Sequence, residues 1–141
     1  MSFSSAHFVI SGGECEALHG HNYSVEVIMK GVLDELGMIV DFRDVKEEVA
    51  KVCKVFDHKV LLPGFSSSIK VEEDGESVHV SVEEKKYQFP LIDCVILPIR
   101  STTAEHLAQY LSTQIEFPEN LEVTVCVSES YGSSGCYTDE K

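Results

Sequence analysis

The chain has 141 residues, 43% of them hydrophobic and 25% charged, with a formal net charge of −13. This length and composition suit one globular domain with a true core, and we predict a single domain over residues 1–141. The 24 acidic residues against 11 basic ones repel nucleic acid and anionic membranes, so we expect neither as a partner. No apolar run approaches the roughly 20 residues of a membrane helix, and the start of the chain carries no export pattern. The expected compartment is therefore the cytoplasm.

The first part of the chain predicts two strands and a helix. Residues 2–10 form a short strand, 11–18 a loop and 19–33 a strand in which polar and apolar residues alternate. Every second side chain of such a strand lies on one face, and that row is His19, His21, Tyr23, Val25 and Val27. Residues 44–56 change to the helical period. Two aspartates are available as the N-cap of this helix, Asp41 and Asp44.

The middle of the chain predicts a hairpin and a buried strand. Two alternating runs flank Asp74-Gly75, a pair typical of a hairpin turn, and residues 91–97 form an apolar strand. The whole segment 66–99, with its acidic hairpin, is expected to be an atypical insert in the domain.

The last part of the chain predicts a helix and a strand. Thr102 and Glu105 have the spacing of a capping box ahead of a helix over about 103–116. Residues 121–129 form the last strand, and Glu129 ends its row of apolar residues. A carboxylate in that position is costly unless it is partnered or has reached solvent, and a ligand with two adjacent N–H groups would satisfy it.

This order of elements predicts an α+β fold, an antiparallel sheet with two helices on one face. Such a sheet leaves exposed edges that pairing with another subunit would cover. The five cysteines are odd in number and contain no CxxC pair. We therefore expect no disulfide scaffold and no thiolate zinc site, and some of these thiols are expected to be small core residues.

Three histidines are candidate metal ligands. His19 and His21 project from one face of a strand, and His7 lies on the preceding strand, which can pair beside it. Three imidazoles with an open fourth position are typical of catalytic zinc. The alternative is that these histidines simply lie on a polar sheet face.

Possible acid–base groups lie near these histidines and after the first helix. A thiol such as Cys15 near a cation becomes a base or nucleophile, and Glu16 is its neighbour. An imidazole next to a carboxylate, as in Asp57-His58, is a usual partner of an activated thiol. The alternatives are a surface cysteine and a histidine that interacts with the helix dipole.

Taken together, these segments resemble the 6-pyruvoyl-tetrahydropterin synthase family, which includes 6-carboxy-tetrahydropterin synthase. Six stretches occur in the family's order, and they are Phe3-Ser4-Ser5-Ala6-His7, Cys15-Glu16-Ala17-Leu18-His19-Gly20-His21-Asn22-Tyr23, Gly37-Met38-Ile39-Val40-Asp41-Phe42, Phe56-Asp57-His58, Thr103-Ala104-Glu105-His106-Leu107-Ala108 and Val127-Ser128-Glu129-Ser130.

The resemblance implies a site and an assembly. His7, His19 and His21 would bind Zn²⁺, Cys15 would be the general base, and Asp57 with His58 would complete a relay across a subunit contact. Glu129 would anchor the pterin, with Thr103 and Glu105 near the same pocket. The family's tunnelling fold joins subunits edge to edge into barrels that stack as homo-hexamers.

The resemblance leaves the reaction open between three alternatives. Cys15 has the spacing of the synthases, which act on 7,8-dihydroneopterin triphosphate. Glu16 has the spacing of a subgroup that resembles dihydroneopterin aldolases and makes 6-hydroxymethyl-7,8-dihydropterin for folate-type cofactors. A third alternative is a non-catalytic pterin or purine binder. The acidic balance slightly favours a substrate with few phosphates, since the candidate cations for a phosphate tail are Lys59, Arg43, Lys46 and Arg100.

Overall fold

The computed structural model describes residues 1–139, so the last two residues of the predicted domain lie outside it. The strands are β1 Ser2–His7, β2 Ile10–Ser11, β3 Glu14–Cys15, β4 His19–Lys30, β5 Lys59–Pro63, β6 Lys70–Asp74, β7 Ser77–Val82, β8 Lys85–Pro90, β9 Cys94–Leu97, β10 Glu122–Ser130 and β11 Ser133–Thr138. The helices are α1 Phe42–Phe56 and α2 Ala104–Gln114. Neither helix has the length and apolar character needed to cross a bilayer.

Six strands form the main sheet, in the order β11-β10-β4-β1-β5-β9. The pairs of β1 with β4 and of β4 with β10 are antiparallel, as predicted, and β11 adds a further antiparallel pair with β10. The prediction was wrong for the other edge, because β5 is parallel to β1 and β9 is parallel to β5. Parallel neighbours need a long crossover connection. The connection from β1 to β5 includes β4 and α1, and the connection from β5 to β9 includes a separate small sheet.

The helices cover one face of the main sheet. The buried side chains of α1 are Val45, Val49, Cys53 and Phe56, and Asp41 is its N-cap, accepting a hydrogen bond from the amide of Arg43. The apolar residues of α2 join the same core, so the prediction of two helices on one face is confirmed.

The predicted capping box of α2 was wrong by one residue. Thr103 is the N-cap, and its hydroxyl accepts a hydrogen bond from the amide of His106. Thr102 is instead fully buried and donates its hydroxyl to the carbonyl of Phe8, 2.9 Å away. The tertiary contact with the end of β1 therefore outweighs the local capping pattern.

The opposite face of β5 and β9 packs against a second sheet of three strands, in the order β6-β7-β8. The hairpin at Asp74-Gly75 is confirmed as β6 and β7. The third strand, β8, was not predicted, and a short 3-10 turn over Leu91–Asp93 replaces the start of the predicted strand 91–97.

A strand and a disulfide at the end of the described chain were also not predicted. β11 pairs with β10, and Cys126 of β10 is bonded to Cys136 of β11, its direct cross-strand partner. The odd number of cysteines gave no sign of this disulfide, and the polar character of residues 133–138 gave no sign of the strand. Cys15 and Cys53 are buried thiols, as expected of core residues.

Candidate metal centre and active site

Three imidazoles converge on the helix-covered face of the main sheet. Antiparallel pairing of β1 with β4 sets His7 opposite His19 and Ser5 opposite His21. The ring centroid of His7 lies 4.8 Å from that of His19 and 5.1 Å from that of His21. One candidate ligand nitrogen of each ring lies within 4.8 Å of the other two, so one cation can be reached by all three.

Backbone carbonyls fix the protonation of two of these rings. His7 Nδ1 lies 2.9 Å from the carbonyl oxygen of Thr102, and His19 Nδ1 lies 2.7 Å from that of Ala17. A carbonyl only accepts, so each Nδ1 carries the proton and each Nε2 presents a lone pair. The two Nε2 atoms are 3.2 Å apart. Two lone pairs that face each other repel unless a cation lies near both, and the donor set fits a divalent metal ion.

Burial keeps His7 neutral. Its side chain is fully buried, and this burial lowers the pKa of His7 from 6.5 to about 4, against a smaller opposing effect of the hydrogen bond to Thr102. The neighbouring imidazoles of His19 and His21 lower the pKa further. A histidine that is neutral at physiological pH is ready to bind a metal without first releasing a proton.

The glycine between the two histidines of β4 is required by packing. A Cβ atom on Gly20 would lie 2.9 Å from the carbonyl oxygen of Ser5 on β1. This contact is with backbone, which cannot move away without separating β1 from β4. Gly20 therefore permits the close strand pairing that brings His7 to the other two imidazoles.

Glu129 reaches the edge of the histidine cluster. Its Oε2 lies 3.9 Å from His21 Nε2, at a point where the register of β10 against β11 shifts between Ser128 and Ser130. The bulge lets the carboxylate approach the cluster from β10. A carboxylate and three imidazoles on neighbouring strands form a site that can bind both a metal ion and a group with N–H donors.

A fully buried tyrosine adjoins the same cluster. The Tyr23 ring packs edge-on against His7 and His21, with centroids 5.7 and 5.5 Å away. Within residues 1–139, its hydroxyl is the one buried side-chain oxygen or nitrogen that has no hydrogen-bond partner. Burial and the charge of Glu129 raise the pKa of Tyr23, so this hydroxyl keeps its proton.

The two candidate bases lie in different environments. Cys15 is buried in the core between β5 and the small sheet, and its thiol lies 3.3 Å from the carbonyl of Glu16. Burial raises the pKa of the Cys15 thiol, an effect that Lys85 partly opposes. Glu16, the next residue, is exposed to solvent. In the conformation described, the thiolate is disfavoured and the carboxylate is accessible.

Within residues 1–139, the Asp57-His58 pair makes no hydrogen bond or ion pair with the three histidines. The carboxylate of Asp57 accepts a hydrogen bond from the Ser4 amide at 2.8 Å and lies 2.8 Å from His58 Nδ1. The pKa of Asp57 is lowered mainly by the hydrogen bond from the Ser4 amide and, to a smaller extent, by the hydrogen bond with His58. The His58 side chain is 83% exposed and its backbone has a positive φ of 59°. The His58 imidazole therefore projects into solvent, while Asp57 is half-buried against β1.

The two predicted pocket residues next to α2 make no hydrogen bond or ion pair with the three histidines in the described part of the chain. Thr103 caps the helix, and Glu105 is exposed in its first turn, where an acidic side chain interacts favourably with the helix dipole.

A protein family model described as 6-pyruvoyl tetrahydropterin synthase matches residues 1–140. The chain belongs to the 6-pyruvoyl tetrahydropterin synthase family. Its two helices and mostly antiparallel sheet are the fold of this family, as a solved member shows. That member is a Plasmodium vivax 6-pyruvoyltetrahydropterin synthase, a catalytic residue mutant in which alanine replaces a glutamate, with a TM-score of 0.89 and 33% identity over 98% of this chain and 91% of that one.

Two curated relatives in the family carry different activities in their names. A putative 6-carboxy-5,6,7,8-tetrahydropterin synthase of Methanocaldococcus jannaschii is 33% identical over 97% of this chain and 89% of its own length. A dihydroneopterin monophosphate aldolase of Pyrococcus furiosus is 40% identical over 60 residues, which are 43% of this chain and 52% of that protein. Both activities therefore occur in the names of relatives of this chain.

Sequence reasoning missed the groups that orient the cluster. The carbonyls of Thr102 and Ala17 carry no sequence signal, because every residue has one. Tyr23 was assigned to the correct face of β4. That its hydroxyl has no hydrogen-bond partner could not be predicted, because it depends on which distant residues pack around it. The predictions that residues 1–141 form one domain and that 66–99 is an atypical insert remain predictions.

Proposed function

We propose that this protein is a zinc-dependent lyase that cuts the side chain of a 7,8-dihydroneopterin, with the carboxylate of Glu16 as general base. The observation that carries the proposal is a difference in solvent exposure between two adjacent residues. Cys15 is 8% exposed and lies in an apolar core, whereas Glu16 is exposed. The glutamate replaced in the Plasmodium vivax catalytic residue mutant supports a glutamate base in this family.

The chemistry requires a base near the side-chain hydroxyls of the substrate. Glu16 takes the proton of the hydroxyl on the second side-chain carbon, and the bond between the first and second carbons breaks. The second carbon leaves as an aldehyde, and the electron pair passes from the first carbon into the C=N bond of the dihydropterin ring. A proton returned to the first carbon completes 6-hydroxymethyl-7,8-dihydropterin. The other product is glycolaldehyde or its phosphate.

The remaining groups of the site have roles that suit this reaction. Zinc bound to His7, His19 and His21 would supply a Lewis acid for the side-chain oxygens. Glu129, 3.9 Å from His21, would accept the amino and ring N–H groups of the pterin as a bidentate pair. This contact fixes the ring so that the side chain extends toward the imidazoles.

The charges on the chain support a substrate with few phosphates. Arg43 is engaged by the carboxylate of Asp41 at 2.6 Å, and Lys59 donates to the carbonyl of Ile92. Of the four candidate cations, one is thus in an ion pair and a second is held by a backbone carbonyl, in a chain of net charge −13. We therefore propose dihydroneopterin or its monophosphate as the substrate class.

The exposed Asp57-His58 pair supports an active site completed by another copy of the chain. The His58 side chain projects into solvent, Asp57 is half-buried beside it, and neither forms an ion pair with the histidine cluster in the described residues. An acid–base pair in that position serves a neighbouring site, and we propose the homo-hexamer that the family resemblance implies.

Product identification tests the proposal. The zinc-loaded protein is incubated with dihydroneopterin, its monophosphate and its triphosphate, and the products are identified by mass. We expect 6-hydroxymethyl-7,8-dihydropterin, lost in Glu16→Gln and retained in Cys15→Ala. The proposal is wrong if Cys15→Ala abolishes the product and Glu16→Gln retains it.

A second candidate is a synthase that eliminates triphosphate with Cys15 as base. The near full-length relative from Methanocaldococcus jannaschii and the Cys-to-histidine spacing favour it. The Cys15 thiol would first have to leave its apolar core. Formation of a carboxy- or pyruvoyl-tetrahydropterin from the triphosphate would support this candidate, and tight pterin binding without any product would support a binding protein.

A further inference from the structure

We propose that Glu83, in the turn between β7 and β8, is a positioning residue that holds the segment of the general base in its working orientation. The proposal rests on the proposed function, because it assumes that Glu16 is the base. Glu83 lies 67 positions beyond Glu16 and belongs to the small sheet, outside the motifs that identify the family.

A direct hydrogen bond joins the two segments. The amide of Cys15 donates to Glu83 Oε1 at 2.7 Å. The amide of the next residue, Glu16, donates to the carbonyl of Val9 at 2.9 Å. β3 is therefore held from both sides, by the segment of β2 and by the carboxylate of Glu83. A hydrogen bond to a charged acceptor is stronger than a neutral one.

β3 is short, so the bond to Glu83 adds to the support that the buried Cys15 side chain provides. It has two residues, and its pairing with β2 is limited to Ile10 with Cys15 and Ser11 with Glu14. The turn between these strands is Gly12-Gly13, where both residues have positive φ and a Cβ atom added at either one would meet nothing within 4 Å. Two adjacent glycines leave a turn more conformational freedom than any other pair.

The backbone of Glu83 indicates that its side chain is needed. Glu83 has a φ of 53° in a two-residue turn that follows Val82 and precedes Lys85. Glycine adopts this conformation without strain, as Gly75 does with a φ of 62° in the other turn of the small sheet. A residue with a Cβ atom is strained there, whereas glycine is not. Glycine at this position would have no carboxylate to accept the hydrogen bond from the Cys15 amide.

Fixing Cys15 fixes the direction of Glu16. Glu16 directly follows Cys15 at the end of β3 and is exposed, so holding Cys15 in the core between β5 and the small sheet limits the directions that Glu16 can take. Without the bond to Glu83, the glycine turn can rotate this pair. The base would then spend less time in reach of the substrate, which lowers kcat more than it weakens binding.

Four variants test this inference. Glu83→Ala and Glu83→Gly remove the acceptor, Glu83→Gln keeps a neutral one, and Glu84→Ala is the matched control in the same turn. We expect Glu83→Ala and Glu83→Gly to lose roughly 10- to 100-fold in kcat with little change in KM, Glu83→Gln to recover most of the rate, and Glu84→Ala to match the wild type. Glu83→Gly relieves the strained φ, so it should be more thermally stable than Glu83→Ala, although both lose the acceptor and both lose rate.

Amide hydrogen exchange separates this inference from the proposed function. The Cys15 amide should exchange slowly in the wild type and Glu84→Ala, and at least about tenfold faster in Glu83→Ala and Glu83→Gly. This measurement needs no activity, so an inactive wild type would refute the proposed function alone. The positioning role is refuted if Cys15 exchange is the same in all variants, or if Glu83→Gly retains the full rate of an active wild type.

Discussion

Replacement of Tyr23 by phenylalanine should stabilise the metal-free protein. The Tyr23 hydroxyl is fully buried and has no hydrogen-bond partner in the described residues, so folding removes it from water without compensation. An unsatisfied buried polar group costs about 1–3 kcal/mol. Phenylalanine keeps the ring and its stacking on Phe3, whose centroid is 4.8 Å away, and deletes only the oxygen.

The expected gain for Tyr23→Phe is about 1 kcal/mol or more in the free energy of unfolding, because part of the removed cost is offset by the small void left behind. Urea unfolding in the presence of a chelator measures it, and the melting temperature should rise by roughly 3–6 °C. Tyr131→Phe is the control, since Tyr131 is fully exposed and should change stability very little. A loss of stability in Tyr23→Phe would show that the hydroxyl has a partner and would refute the reasoning.

Three further predictions concern the metal, pH and the second helix. The protein should bind one zinc ion per chain, and His21→Ala should weaken binding at least about tenfold, as measured by titration calorimetry; equal affinity in both proteins would remove His21 from the ligand set. Because the pKa of His7 falls from 6.5 to about 4 on folding, the unfolded chain takes up a proton in that window and the folded chain does not. Stability of the metal-free protein should therefore fall from pH 6.5 to pH 4, by at most about 1.4 kcal/mol per pH unit, and urea unfolding of His7→Gln should show a flatter profile. Thr103→Ala should cost about 1 kcal/mol by removing the N-cap of α2, whereas Thr113→Ala near the end of that helix should cost less; equal thermal shifts would contradict the assignment of the cap.

Regular patterns predicted the part of the site that lies on strands. Alternation along β4 set His19, His21 and Tyr23 on one face, and order along the chain brought His7 beside them. These inferences succeed because each side chain of a strand can lie on only one of the two faces of the sheet. The family resemblance added the roles of residues that pattern alone leaves undecided.

Features that depend on packing between distant segments escaped prediction. The choice of Thr103 over Thr102 as N-cap follows from the bond of the Thr102 hydroxyl to Phe8, which no local pattern reveals. The parallel edge formed by β5 and β9 depends on where the connections from β1 to β5 and from β5 to β9 rejoin the main sheet. The contrast between Cys15 and Glu16 likewise depends on the core formed by the small sheet, a partner more than 50 residues away.

β5 has side chains in both hydrophobic cores. Leu61 packs on the helix side, while Val60 and Leu62 pack toward the small sheet. A strand shared in this way couples the two layers, since neither can open without exposing part of the other. The helix layer and the small sheet should therefore unfold as one cooperative unit. A change in either layer should alter the stability of β5, which pairs with the histidine-bearing β1.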